Sequence, residues 1–117
     1  MLIDLNGKFI LNLNGTKTTL TMANPLSEII MDPKQNFKEF SAVRRYEIAR
    51  IILMEQKIDL LVEDANMLIR IVKNTDMFGS LVTAQLELEL KAIKDAYDEK
   101  MKAKLQPQPI VEEEKTE

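Results

Sequence analysis

The chain has no cysteine, no histidine and no tryptophan among its 117 residues. Without cysteine there is no disulfide, no thiolate nucleophile and no cysteine-ligated zinc or iron–sulfur centre. Without histidine, both the commonest metal ligand and the side chain that titrates near neutral pH are missing. Metal binding would rest on carboxylates and carbonyls, the donors that suit magnesium, calcium or manganese. Neither a metal nor a cofactor is expected. The longest apolar run is Ile51 to Met54, far too short to span a bilayer. The formal net charge of −3 supplies no global positive field toward nucleic acid. The N-terminal MLIDLNGKF lacks both a basic n-region and an apolar h-region, so no signal peptide is expected. A cytoplasmic, non-secreted protein without a membrane span is the expectation.

What the chain does contain is an apolar scaffold. The composition is 45% hydrophobic and 30% charged, that of an ordinary globular protein, and the length suits one domain. The expected class is α+β: an N-terminal β-hairpin at residues 2–22 packed on three to four helices at 25–104, with the last helix long. Residues 1–105 are read as one small domain and 106–117 as a disordered acidic tail, because QPQPIVEEEKTE has nothing with which to bury a core.

Asn14-Gly15 predicts a two-residue hairpin loop, both positions favouring positive φ. That loop would set Leu13 opposite Thr16, Leu11 opposite Thr18 and Phe9 opposite Leu20. Phe9, Leu11, Leu13, Leu20 and Met22 would then share the buried face, with Ile10, Asn12, Lys17 and Thr19 outside. Asn6-Gly7 would add a strand at Leu2–Leu5 and extend the hairpin to a three-stranded meander.

Asn24-Pro25 predicts a helix start with Asn as the cap, followed by a short helix ended by Pro33. The next helix runs to about Gln56 and starts either at Asp32-Pro33 or at Ser41. Phe37, Phe40, Val43, Ile48, Ile51 and Ile52 form its apolar stripe. Lys57–Leu60 reads as a brief connection. A third helix spans about Leu61 to Lys73, with Leu61, Ala65, Leu68 and Val72 on one face. A fourth begins near Ser80 and carries Val82, Leu86, Leu90, Ile93, Tyr97 and Met101 in one narrow stripe.

The succession DLNG, an NG hairpin with TTLT, RRYEIARII, IDLLVEDANMLIRIV and LVTAQLEL resembles small proteins encoded by tailed bacteriophages and prophages. The resemblance covers about residues 3–90 and implies a hairpin followed by three or four helices in a phage setting, hence a location in the bacterial host cytoplasm or on a virion. It brings no catalytic residues with it. This chain departs from that pattern in two places. Leu61 stands where Thr or Ser often caps the helix before the acidic pair, and a charged extension runs from Lys91 to Lys104.

Four groups of residues are candidates for function. Glu63 and Asp64 invite a catalytic or metal-binding reading, but acids in a first helical turn serve the helix dipole. Arg44, Arg45 and Arg50, with Lys38 and Lys57 nearby, form a local basic cluster that suits phosphate or DNA contact; the plainer reading is a solvated helix face. Among the methionines, Met54 and Met67 read as core filler, whereas Met77-Phe78 beside Gly79 suits a partner contact. The stripe through Leu90, Ile93, Tyr97 and Met101 carries more apolar surface than a small domain needs and suits another helix, from a second copy or another protein. Lysine at Leu90 and Ile93 is expected to alter association more than the fold. The expected function is a non-enzymatic phage accessory or assembly protein acting through protein–protein contacts; the alternative is a nucleic-acid-associated or regulatory protein using the arginines.

Overall fold

Two glycines with positive φ, Gly7 at 73° and Gly15 at 88°, turn the N-terminal chain, and what they join differs from the expected hairpin. The computed structural model describes residues 1–105; the expected acidic tail lies outside them. The architecture is α+β, with two small two-stranded sheets and four helices.

Strand β1 (Leu2–Asp4) does not pair with β2 (Phe9–Leu11). Its partner is β4 (Lys57–Asp59), antiparallel, with Ile3 opposite Ile58 and Asp4 opposite Lys57. The ladder continues at both ends, from Leu5 N–H to Gln56 O at 2.7 Å and from Leu60 N–H to Met1 O at 2.8 Å. The expected meander is therefore replaced by a long-range pair, and the expected connection at Lys57–Leu60 is a strand. The cause sits at Gln56, whose left-handed conformation (φ 60°) ends the preceding helix abruptly. From there the chain leaves extended alongside β1.

Strand β2 pairs with β3 (Lys17–Thr21), but through Phe9–Thr21 and Leu11–Lys17. Two residue steps on β2 thus span four on β3, an irregularity that the two-residue loop did not allow for. The Thr18 hydroxyl fills the gap, donating to Ile10 O at 2.7 Å and accepting from Leu20 N–H at 3.1 Å. The loop closes between Asn12 and Thr16, held by the Asn14 side chain on Thr16. Polar side chains bonding to nearby backbone outcompete the tight turn. The face of β2 inverts as a result, whereas Met22 is buried and Lys17 and Thr19 are exposed as expected. Ile10 is 2% exposed and Leu13 is 95% exposed, the reverse of the expected arrangement.

Helix α1 (Ala23–Ile30) has Met22, already helical, at its cap, so Asn24 lies inside the first turn. Its residues Leu26, Ile29 and Ile30 are wholly buried, which makes it the centre of the core. Helix α2 (Ala42–Glu55) starts at Ser41, whose hydroxyl accepts from Arg44 N–H at 3.2 Å. Of the two starts open in the sequence, Ser41 is the one used, and Phe37 and Phe40 belong to the loop before it. Ile48 and Ile52 of α2, Leu68, Ile71 and Val72 of α3 (Val62–Asn74), and Leu86 and Leu90 of α4 (Ser80–Leu105) complete the core with Ile3, Leu5 and Ile10.

Gln85 of α4 fastens the hairpin edge. Its side-chain amide donates to Leu11 O and its carbonyl accepts from Leu11 N–H, both at 2.8 Å. One amide thus imitates a neighbouring strand and covers an edge that would otherwise stay open.

Candidate interaction surface

The acidic pair at the start of α3 is divided in its roles. Glu63 is exposed, whereas Asp64 is buried and accepts from Arg44, the Nε contact being 2.8 Å. The bond to Asp64 holds the Arg44 guanidinium above its ordinary pKa. This pair ties α2 to α3. Among the described residues no group of three or more Asp and Glu is gathered as metal ligands.

The three arginines of α2 are not brought together. Arg44 goes to Asp64. Arg45 is only 4% exposed, and its guanidinium donates to Ile30 O at 2.7 Å, to Asp32 O at 3.0 Å and to Gln35 O. These carbonyls belong to the end of α1 and the loop that follows, so Arg45 satisfies acceptors the helix leaves open and places a cation at its negative end. Arg50 is exposed on α2, at the rim of the α1–α2 surface.

Asp32, in that same loop, is buried and lies beside the Arg45 anchor. Burial pushes its pKa up. The Lys34 N–H at 3.0 Å, the Gln35 amide at 3.2 Å and the Thr75 hydroxyl at 3.1 Å more than offset that, and the carboxyl lies below its ordinary value. Through Thr75 the loop is fixed to the α3–α4 connection.

The residues expected on the C-terminal stripe separate into two groups. Leu90 is 2% exposed and Ile93 packs against the core, so the stripe is core up to that point. The expectation that lysine at Leu90 would spare the fold is corrected accordingly. Tyr97 is half-buried in a small apolar depression with Leu2 and Ala96. Met101 is partly exposed and Leu105 is exposed. Asp98 pairs with Lys94 at 2.8 Å, one turn back from Lys102.

Met77 and Phe78 also part. Phe78 leans on the core, whereas Met77 is 40% exposed and closes one side of a groove. The groove lies between α1 and α2 and encloses about 510 Å³. Ser27, Glu28 and Met31 form one wall; Tyr46, Arg50 and Leu53 form the other, over Ala49. Tyr46 is 57% and Leu53 51% exposed, and Val43 and Met54 beside them are more open still. The sequence reading missed this surface because it placed Val43 and Ile51 on the core stripe and Met54 among the core methionines. A signal was present: apolar residues of α2 occur on every side, beyond what one buried face at Arg45, Ile48, Ala49 and Ile52 requires.

Chemically, this site can take apolar groups out of water and offer one charge of each sign at its rim. The Ser27 hydroxyl is committed to Asn24 O at 2.7 Å. Among the described residues no helix is long and apolar enough to cross a membrane. No protein-family model matches the chain, and neither does any curated protein or solved structure.

Proposed function

We propose that this protein is non-enzymatic and works through protein–protein contacts, as an accessory or assembly factor of a tailed phage or prophage. The observation that carries the first part is the open apolar groove between α1 and α2 with its exposed Tyr46, Leu53 and Met77. Rimmed apolar concavities of this kind mark contact sites on soluble proteins, and exposed methionines at Met31, Met54 and Met77 adapt to a partner's shape. The absence of histidine and cysteine supports the non-enzymatic reading. The phage setting rests on the resemblance of the ordered motifs from DLNG to LVTAQLEL. The nucleic-acid reading has less support, since Arg45 is buried in backbone contacts and Arg44 is paired.

A photo-reactive amino acid placed at Leu53 tests this reading in cells. The expected result is a covalent adduct with a polypeptide, either a second copy or another protein, identified by its mass. Adducts with nucleic acid alone, or none at all, would count against it. A salt titration of DNA binding completes the test: affinity at low salt that falls steeply with added salt belongs to a phosphate binder.

A further inference from the structure

We propose that the projecting end of α4 from one copy docks in the α1–α2 groove of a second copy, head to tail. This rests on the protein-contact reading above and names the partner. Among the described residues two apolar surfaces are left open to solvent: the groove, and the far end of α4, where Met101 is partly and Leu105 largely exposed beyond Tyr97, itself half-buried beside Leu2. No residue of α4 after Leu90 is buried, so the helix outruns the body it packs on. The radius of gyration of 17.6 Å compares with about 13 Å for a compact chain of this length. That excess is what an overhanging helix produces.

The two surfaces cannot meet within one chain. Met77, on the groove, lies three residues before α4, and Tyr97 to Leu105 lie about 25–38 Å along that rod from its start at 1.5 Å per residue. A second molecule is required. Shape and charge both suit it. Tyr97, Met101 and Leu105 recur every four residues, the row that forms a ridge on a helix and fits the furrow between two others. Beyond Glu99 the helix carries Lys100, Lys102 and Lys104 with no acid among them. The groove helices expose Glu28, Glu47 and Glu55, and with Arg44 paired and Arg45 buried only Arg50 opposes them. A lysine-rich ridge therefore faces two helices whose exposed charge is mainly acidic, around a groove, the socket, whose own rim carries Glu28 and Arg50.

Each contact of this kind leaves one ridge and one socket free, so association continues into a ring or an open filament instead of stopping at two. Two variants of the full chain test it by sedimentation velocity. Leu53→Asp spoils the socket and keeps the ridge; Met101→Glu with Leu105→Glu spoils the ridge and keeps the socket. Tyr46→Glu serves as a second socket variant if Leu53→Asp fails to fold. The wild type should grow past a dimer with concentration and shrink with added salt. Each variant alone should associate more than about tenfold more weakly, a loss of about 1.4 kcal/mol. An equimolar mixture of the two should form a heterodimer and nothing larger. A wild type that stays monomeric at millimolar concentration, or a mixture that stays monomeric while the wild type assembles, overturns the proposal. If the Leu53 photo-adduct is then a different protein, the docking partner is wrong but the contact reading stands; if no polypeptide adduct forms, both fail.

Discussion

Arg45 and Arg50 share one helix and one residue type, yet their surroundings assign them opposite roles. Arg45 serves three carbonyls in a dry site, where an unmade hydrogen bond leaves its partner unsatisfied. Arg45→Ala is expected to destabilise the protein by about 3 kcal/mol or more. Lysine will not restore it, because an ammonium cannot span three acceptors placed for a planar fork. Arg50→Ala should stay within about 0.5 kcal/mol of wild type. Urea unfolding of the three variants checks this; equal midpoints for Arg45→Ala and Arg50→Ala would remove Arg45 from its anchoring role. Asp32 adds a pH dependence. Its folded pKa lies below the ordinary 3.8, so its contribution is complete above that value and is lost as pH falls through the lower, folded one. Wild-type stability should therefore drop on acidification below about pH 4, and Asp32→Asn should flatten that limb. Titrating unfolding midpoints from neutral pH to about pH 3 measures the difference. An unchanged acid limb would mean that other carboxylates carry it.

Among the elements, all four helices and the Asn-Gly turns were legible, because helical periodicity and turn chemistry are local signals. The long α4 from Ser80 rests on such signals and is found as read, whereas α2 begins at Ser41, the alternative to the Asp32-Pro33 start. The β1–β4 pair was not legible, since three-residue strands separated by the hairpin and two helices leave no periodic trace in the sequence. The hairpin shows a subtler failure. Its turn was placed correctly, but local hydrogen bonds from Asn14 and Thr18 lengthened the loop and shifted the pairing, and a shifted register exchanges the faces of β2. Substitution distinguishes the two arrangements. Ile10→Ala should cost about 2–4 kcal/mol, whereas Leu13→Asp should be nearly neutral. Thermal unfolding of the pair would contradict the observed register if the costs were reversed. The candidate surface was legible only in part. Met77 was singled out in advance, but the groove it closes depends on how α1 meets α2, and no spacing within either helix records that. Leu90 illustrates the converse, for a stripe continuous in sequence is divided by the edge of the body into core and overhang.

Over the described residues the molecule is a small body with an apolar groove, rimmed by Glu28 and Arg50, and a lysine-tipped helix that extends beyond the core. Burial is complete where α1 meets α2 and α3, and it stops along α4 after Leu90. Exposed apolar area of this extent costs solubility unless something covers it, which makes association the natural use of the shape. The central claim is that the face around Leu53 serves contact and not stability. Leu53→Asp tests it directly, with urea unfolding and sedimentation run on the same sample. The account predicts an unfolding free energy within about 0.5 kcal/mol of wild type together with loss of concentration-dependent association. A variant destabilised by several kcal/mol, sedimenting as the wild type does wherever it remains folded, would contradict it.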